Sequence, residues 1–212
     1  MTDQLILYTN PQSRGRIARW MLEEVGATYS VEVMDYASTM KGEAYRAINP
    51  MGKVPAIVHG GKVVTECAAI CAYLAEVFPE AGLAPLPEER ADYYRWLFYA
   101  AGPVEQATTN HAANFVPDAD KSRMFGFGNY DLMVDVLDQL LSSRPYATGD
   151  RFTAADVYLG SQIGWTTMFG MLPKRDSFMA YVERVQSREA YQRAWAMDDA
   201  LVAEAEKAAE PA

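Results

Sequence analysis

Two short segments of the sequence carry the residue types that a small-molecule site needs. The first is Thr65-Glu66-Cys67-Ala68-Ala69-Ile70, where an extended apolar run gives way to a helical pattern. A helix N-terminus offers free N–H groups and the positive end of the helix dipole, so it can hold a carboxylate. Glu66 would pair with an amine on the same ligand. The segment predicts a site for an α-amino acid head group, and an ordinary acidic first turn is the plainer alternative.

The second segment is Asn49-Pro50-Met51-Gly52-Lys53-Val54-Pro55. Pro55 suits the first residue of a strand, which would make the segment a plain loop that enters an edge strand. A cis bond between Val54 and Pro55 is the alternative. It would turn the chain so that the N–H and C=O of Val54 face solvent, where a peptide ligand pairs with them as a neighbouring strand does.

The hydrophobic pattern predicts the elements that hold these segments. An apolar strand at Leu5–Tyr8 precedes a helix that has Ser13 at its N-cap and stops at Gly26. A strand, a short helix, a hairpin and a further helix follow at 29–33, 43–48, 54–64 and 66–78. The order β-α-β-α-β-β-α predicts one parallel strand pair and an antiparallel hairpin at the edge, which together form a small α/β domain.

The rest of the chain is predicted to be helical. Pro79, Gly82, Pro85 and Pro87 cluster as a linker, and strand patterns almost vanish after them. Helical patterns cover 88–111, 120–143, 153–165, 176–186 and 189–207. We therefore expect an α/β domain at 1–80, a linker at 81–87 and an all-helical domain at 88–212.

Composition excludes some classes of partner. The chain has 212 residues and a formal net charge of −9, which argues against nucleic acid or an anionic membrane surface. No apolar run approaches the ~20 residues of a membrane span, and Met1 to Gln4 does not resemble a signal peptide. The two cysteines fit a reducing cytoplasm better than a disulfide scaffold.

Taken together, these segments resemble the cytosolic-type glutathione S-transferases, in a bacterial-like form. A third signal is Gly149-Asp150 followed by Thr153-Ala154-Ala155-Asp156, which looks like the family's helical capping motif. The resemblance spans nearly the whole chain. It implies a thioredoxin-like glutathione-binding domain, a helical-bundle domain that lines the second-substrate site, a homodimer and a role in detoxification. It also implies glutathione as co-substrate and no metal.

The resemblance assigns binding roles residue by residue. Lys53 would meet the glycine carboxylate of glutathione, and Val54, before a cis-Pro55, would bond the cysteinyl backbone. Glu66 and position 67 would bind the γ-glutamyl end. The family usually has Ser at position 67, and Cys67 is a weaker hydrogen-bond donor. Cys67 and the nearby Cys71 are either small buried hydrophobes, or Cys67 is a reactive thiol whose pKa the helix N-terminus lowers.

The family activates glutathione by a hydrogen bond to its sulfur at the first strand–helix turn, here Tyr8–Arg16. That turn contains no Cys, which disfavours the cysteine-type classes. Asn10, Ser13 and Arg14 are the candidates, and we choose Ser13 because its hydroxyl donates to a thiolate beside the helix dipole. Lowering a thiol pKa of ~8.5 by ~2 units needs about 2.7 kcal/mol, and one hydroxyl bond to a charged group gives roughly 1.5–3 kcal/mol.

The leading interpretation is a glutathione transferase that adds the thiol to an electrophilic alkyl or aryl compound. Aromatic residues of the helical domain would line the second-substrate pocket, namely Tyr99, His111 and Trp165. The dimer axis would lie near the helix that carries Ala91, Tyr94 and Arg95. Glutathione-dependent reduction of peroxides or disulfides, and a non-catalytic stress or scaffold role, stay open as alternatives.

Overall fold

The structure of the protein is a computed structural model that describes residues 4–118 and 120–209. Contacts divide the chain into two units: unit 1 holds the chain up to Gly82 and again from Arg188, and unit 2 is Leu83–Ser187. The expectation about a signal peptide falls mainly on residues 1–3, which lie outside the described residues. Among the described helices, none is long and apolar enough to cross a membrane.

The secondary structure alternates in the first third of the chain and is helical afterwards. The strands are β1 Leu5–Thr9, β2 Ser30–Val33, β3 Ala56–His59 and β4 Lys62–Thr65. The first helices are α1 Gly15–Glu24, α2 Glu43–Arg46 and α3 Cys67–Val77. The later helices are α4 Arg90–Tyr99, α5 Glu105–Ala112, α6 Tyr130–Ser143, α7 Ala154–Met168, α8 Asp176–Gln186 and α9 Glu189–Ala209.

The four strands form one mixed sheet in the order β2-β1-β3-β4. β1 and β2 are parallel, and both β1–β3 and β3–β4 are antiparallel, so the predicted fold class is confirmed. Ala56 pairs with Tyr8 on one side and with Thr65 on the other. The end of β1, the start of β3 and the end of β4 therefore lie at the same edge of the sheet.

Apolar faces explain why α1 and α3 pack on this sheet. The helix α1 buries Ile17, Met21 and Leu22 at the spacing of one helical face. It ends before Gly26, whose φ of +64° is the left-handed conformation that terminates helices. The helix α3 buries Ile70, Cys71 and Leu74 in the same way.

Unit 2 contains α4 to α8 and differs from the predicted helix limits in two main places. The helix expected over 88–111 is divided into α4 and α5 by a π-helical segment at Ala100–Val104. The helix expected over 120–143 begins only at Tyr130. Gly128 has a φ of +68°, and the side chain of Asn129 accepts a hydrogen bond from the Leu132 N–H at 2.8 Å. A glycine in the left-handed region followed by an Asn cap starts the helix there. The prediction from the hydrophobic pattern did not include this cap.

The start of α7 is built around a buried carboxylate, as the capping motif predicts. Asp156 accepts hydrogen bonds from the N–H of Thr153 at 2.9 Å and of Ala147 at 2.7 Å. The Tyr181 hydroxyl donates to the same carboxylate at 2.8 Å. Burial raises the pKa of Asp156, while these donors oppose that rise. The motif has a structural role in this chain.

The last helix belongs with the α/β unit by its contacts. The α1–α9 interface pairs the buried Arg19 with the buried Asp198 at 3.0 Å and packs Trp20 edge-on against Tyr191 at 4.9 Å. The expected helical domain at 88–212 thus differs from the contact-based units in α9. The hydrophobic periodicity of α9 alone does not indicate that α9 packs on α1, because its partner residues lie about 180 positions away in the sequence.

Candidate functional site

Three loops meet at the edge of the sheet that the strand register defines. They are the loop after β1, here called the β1–α1 loop (Asn10–Arg14), the Lys53–Pro55 segment before β3, and the junction Glu66–Cys67 after β4. The Cys67 thiol donates to the Arg14 carbonyl at 3.5 Å, which joins the first and third of them directly. The structure thereby brings the predicted activating and binding residues together within unit 1.

Ser13 holds the start of α1. Its hydroxyl donates to the Asn10 carbonyl at 2.6 Å and accepts from the Gly15 N–H at 2.9 Å. It acts from one residue before the N-cap, which the backbone places at Arg14 instead of Ser13. Because a hydroxyl has one proton, Ser13 donates to a ligand only if it turns away from the Asn10 carbonyl. Gly15 has to lack a side chain, since a Cβ there would lie 1.9 Å from Thr9 Oγ1.

Asn10 and Arg14, the other two candidates, have different surroundings. The Asn10 side chain donates to the Met34 carbonyl at 2.9 Å and accepts from the Gln12 N–H at 2.9 Å. Both ends of the Asn10 side chain are therefore engaged by the protein, and these bonds hold the shape of the loop. Arg14 is exposed on the surface of unit 1 and places a positive charge at the start of α1.

The Lys53 segment is fixed by hydrogen bonds to its backbone while its charged end stays in solvent. The Tyr45 hydroxyl donates to the Lys53 carbonyl at 2.7 Å, and Asn49 Nδ2 donates to the same oxygen at 2.8 Å. The Val54–Pro55 bond is cis, as the alternative interpretation of the sequence predicted. Val54 is half-buried and Pro55 is buried.

Glu66 stands in a conformation that non-glycine residues seldom adopt. Its φ is +65° and its ψ is +118°, and its side chain makes no capping bond to α3. Such outliers cost of order 1–3 kcal/mol and cluster at ligand sites. Glu66 is exposed, so its carboxylate is open to a ligand at the start of α3.

Cys67 and Cys71 are both buried, free thiols. Cys67 is 8% exposed and Cys71 is fully buried. Burial, together with the neighbouring Cys67, raises the pKa of Cys71, which makes Cys71 an unreactive thiol. Cys67 directs its thiol toward the protein backbone at Arg14, as a small buried residue does. Both interpretations of Cys67 stay predictions.

The edge of the sheet combines exposed cations with two helix N-termini, although the chain as a whole carries a net charge of −9. Lys53, Arg14 and Lys41 are exposed, and Lys41 donates to the Gly52 carbonyl at 2.6 Å. Both α1 and α3 begin here, so their dipoles add positive potential. This arrangement suits an anionic ligand. Among the described residues, no group of three or more His, Cys, Asp or Glu side chains is arranged to hold a metal ion.

A cavity of about 460 Å³ lies beside the β1–α1 loop, within unit 1. Its apolar walls come from the loop, from the end of β2 and from α9, through Pro11, Val33, Met34, Leu201, Val202 and Ala205. Polar groups at its rim are Asn10, Gln12, Asp35, Tyr36 and Glu206. Mostly apolar walls with a few polar groups are typical of small-molecule sites. The sequence did not indicate this cavity, because α9 had been expected in the other domain.

The three aromatic residues predicted for a second-substrate pocket each have a partner of their own in unit 2. The Tyr99 hydroxyl donates to the Met133 carbonyl at 3.3 Å, and burial raises the pKa of Tyr99 to about 12. His111 is exposed and stacks on Tyr130, with ring centroids 3.9 Å apart. Trp165 packs on Phe169. A pocket formed by Tyr99, His111 and Trp165 stays a prediction.

Comparison with known proteins identifies relatives by sequence. Residues 14–77 match the family model described as glutathione S-transferase, N-terminal domain. The chain is 27% identical to glutathione S-transferase GstA of Escherichia coli O157:H7 over 204 residues, which cover 93% of this chain and 98% of that protein. The similarity therefore includes the helical part of the chain as well as the α/β part.

Solved structures give the same result. The glutathione transferase from Methylococcus capsulatus str. Bath is 28% identical, with a TM-score of 0.76 over 92% of this chain and 98% of its own. A sphingomonad glutathione S-transferase complexed with glutathione is 26% identical, with a TM-score of 0.74 over 92% of this chain and 98% of its own. The chain is thus similar to these proteins in fold along nearly its whole length.

Proposed function

We propose that this chain, as a member of the cytosolic-type glutathione S-transferase family, activates glutathione and transfers it to an electrophilic small molecule. One observation carries the proposal. The β1–α1 loop, the Lys53–Pro55 segment and the Glu66–Cys67 junction meet at one edge of the sheet, joined by the bond from Cys67 to Arg14. The family places glutathione against these three segments.

The tripeptide would lie along this edge with its two carboxylates apart. Lys53 would meet the glycine carboxylate, and the free backbone groups of Val54 would pair with the cysteinyl residue. The start of α3 would hold the γ-glutamyl carboxylate, and Glu66 would meet its amine. Three features support these roles: the exposed ammonium of Lys53, the exposed carboxylate of Glu66 and the strained backbone that presents it. Cys67 offers its backbone N–H in place of the usual Ser hydroxyl.

Ser13 would stabilise the thiolate, with Asn10 and Arg14 as the remaining candidates. The Ser13 hydroxyl lies at the start of α1, where the helix dipole favours negative charge. Asn10 is engaged by Met34 and Gln12, which favours Ser13 over it. Catalysis would then combine a lowered thiol pKa with the proximity of the two substrates.

The second substrate would be an apolar electrophile. Tyr99, His111 and Trp165 stay the sequence-based prediction for its site. The cavity beside the β1–α1 loop is a second candidate place, because Asn10 borders both the cavity and the loop that carries Ser13. Its apolar walls suit a hydrophobic compound.

The assembly and location of the protein are part of the same proposal. We expect a cytoplasmic homodimer with the helix that carries Ala91, Tyr94 and Arg95 near its two-fold axis. On this helix, α4, Tyr94 is 42% and Phe98 66% exposed, and exposed apolar side chains of this size are typical of interfaces. The two free thiols fit a reducing compartment. Sedimentation as a single 23.6 kDa chain would contradict the dimer.

The proposed function is tested by glutathione binding and turnover together. We expect retention on immobilised glutathione, and conjugation of a chloronitrobenzene electrophile. Lys53→Met should weaken glutathione binding about tenfold, because a charged hydrogen bond is worth 1.5–3 kcal/mol. Lys62→Met is the matched control: Lys62 is also exposed, but it is the strand partner of His59 at the opposite end of the strands.

Other outcomes would point to the alternatives. Binding without conjugation, together with turnover of peroxides or disulfides, would favour a reductase. Neither binding nor turnover would favour a non-catalytic protein. Equal loss of binding in Lys53→Met and Lys62→Met would contradict the proposed position of the glycine carboxylate.

A further inference from the structure

The guanidinium of Arg16 contacts the β1–α1 loop and α9 at the same time. Its Nε donates to the Pro11 carbonyl at 2.6 Å, and its Nη2 donates to Asp199 Oδ1 at 2.7 Å. The guanidinium carbon also lies 4.4 Å from the centre of the Trp195 ring. The side chain is only 11% exposed, so it holds one defined position between these partners.

We propose that Arg16 is a positioning residue, which together with α9 holds the β1–α1 loop so that the Ser13 hydroxyl faces the sulfur of glutathione. The inference rests on the proposed function. Pro11 has no N–H, so its carbonyl is the one backbone hydrogen-bonding group through which that residue can be held. A charged donor makes the bond roughly twice as strong as a neutral one. Asn10, the acceptor for Ser13, is the residue next to Pro11.

The position of the β1–α1 loop matters because the Ser13 hydroxyl has one proton and two possible acceptors. It now donates to the Asn10 carbonyl, and it must reach the thiolate when glutathione binds. A shift of about 1 Å in a reacting group costs up to 10²-fold in rate. An anchor on Pro11 limits such a shift without touching the substrate.

The chemistry of arginine suits this task. Its planar fork sends Nε toward the loop and Nη2 toward α9 in fixed directions, while its flat face stacks on Trp195. Lysine carries the same charge on a single ammonium group at the end of a flexible side chain, so it would bind one of the two acceptors at a time. We therefore expect Arg16→Lys to retain part of the effect.

The attachment of α9 to α1 does not depend on Arg16 alone. Arg19 pairs with Asp198 at 3.0 Å in the buried interface. Arg188 donates to both oxygens of Glu24, at 2.7 and 2.8 Å. A change at Arg16 should therefore release the loop while α9 stays attached, which separates positioning from unfolding.

The test compares Arg16→Met with Arg193→Met. Both arginines take part in the α1–α9 interface, but Arg193 donates to Glu23, is half-exposed and lies away from the β1–α1 loop. The readouts are the thiol pKa of bound glutathione, from the ultraviolet absorbance of the thiolate, kcat and KM, and hydrogen exchange of the amides at 12–15. A thermal melt checks that each variant is folded.

We expect Arg16→Met to raise the thiol pKa of bound glutathione by up to about 1 unit and to lower kcat up to about threefold near pH 7, which is no more than loss of the Ser13 hydroxyl itself would cost, with KM for glutathione changed less than about twofold. The amides at 12–15 should exchange faster. Arg193→Met should match the wild type, and Arg16→Lys should lie between. A thiol pKa and exchange rates in Arg16→Met equal to those of Arg193→Met would overturn the inference.

Two further outcomes distinguish a failure of this inference from a failure of the proposed function. In one, Arg16→Met has a lower melting temperature and a smaller active fraction, but the thiol pKa of bound glutathione is the same as in the wild type. Arg16 would then have only a structural role, and the inference would be overturned. A wild type that binds no glutathione, or leaves its thiol pKa unchanged, would overturn the proposed function itself and the catalytic role of Arg16 with it. The first failure leaves wild-type activation intact, whereas the second removes it.

Discussion

Replacement of Ser13 by alanine tests the proposed activation at one atom. In the structure the hydroxyl already donates to the Asn10 carbonyl at 2.6 Å. Activation therefore exchanges a neutral hydrogen bond, worth about 0.5–1.5 kcal/mol, for a bond to a thiolate, worth about 1.5–3 kcal/mol. The net gain is about 1–1.5 kcal/mol, which lowers the thiol pKa by about 1 unit. The helix dipole and Arg14 have to supply any further lowering.

The expected result depends on pH. If the wild type lowers the thiol pKa by about 2 units, Ser13→Ala should raise it again by about 1 unit and reduce the rate about threefold near pH 7. The difference should vanish at alkaline pH, where the thiol is ionised in both proteins. The lost bond to the Gly15 N–H should also cost about 1 kcal/mol of stability.

The assay combines a pH–rate profile with a direct titration of bound glutathione, and Ser13→Thr is the matched control because it keeps the hydroxyl. Urea unfolding measures the stability cost separately. A thiol pKa in Ser13→Ala equal to that of the wild type would refute Ser13 as the activator. Arg14 and Asn10 would then be tested in turn.

Other predictions concern stability and thiol chemistry. Asp156→Ala should cost about 4 kcal/mol in urea unfolding, because it leaves several buried donors without their acceptor; a loss near 1 kcal/mol would contradict this. Burial raises the pKa of Asp198 to about 6, so the folded state binds its proton more tightly than the unfolded state, and stability should fall by up to about 3 kcal/mol as pH rises from about 4 to 6. Asp198→Asn should remove that part of the pH dependence. Curves of unfolding free energy against pH that run parallel for the wild type and Asp198→Asn would contradict the prediction. A thiol reagent should modify Cys67 slowly and Cys71 not at all, with protection of Cys67 by glutathione; labelling that glutathione leaves unchanged would place Cys67 outside the site.

The α/β part of the fold could be predicted because its signals are local. The strands, the hairpin and the Gly26 stop each depend on neighbouring residues, and they predicted the parallel pair and the antiparallel hairpin. The antiparallel pairing of β1 with β3, which sets the order β2-β1-β3-β4, was not predicted. The start of α6 was missed because a left-handed glycine and an Asn cap interrupt a pattern that reads as helical. Local propensity does not show such an interruption when apolar spacing continues through it.

The position of α9 and the contacts of Arg16 could not be predicted, because both involve residues distant in sequence. Arg16 meets Asp199 across 183 positions, and nothing in the spacing of either residue indicates the pair. Tyr45 and Asn49 were likewise missed as supports of the Lys53 backbone, since a tyrosine and an asparagine at these spacings have no pattern of their own. The predicted residues Ser13, Val54 and Glu66 came together because the strand register carries them to one edge.

The most direct test of the whole account is the thiol pKa of glutathione bound to the wild-type protein, read from the ultraviolet absorbance of the thiolate with binding followed by calorimetry. The account predicts saturable binding and a thiol pKa about 1 to 2 units below the ~8.5 of a free thiol. Saturable binding with an unshifted thiol pKa, or no binding at all, would contradict it.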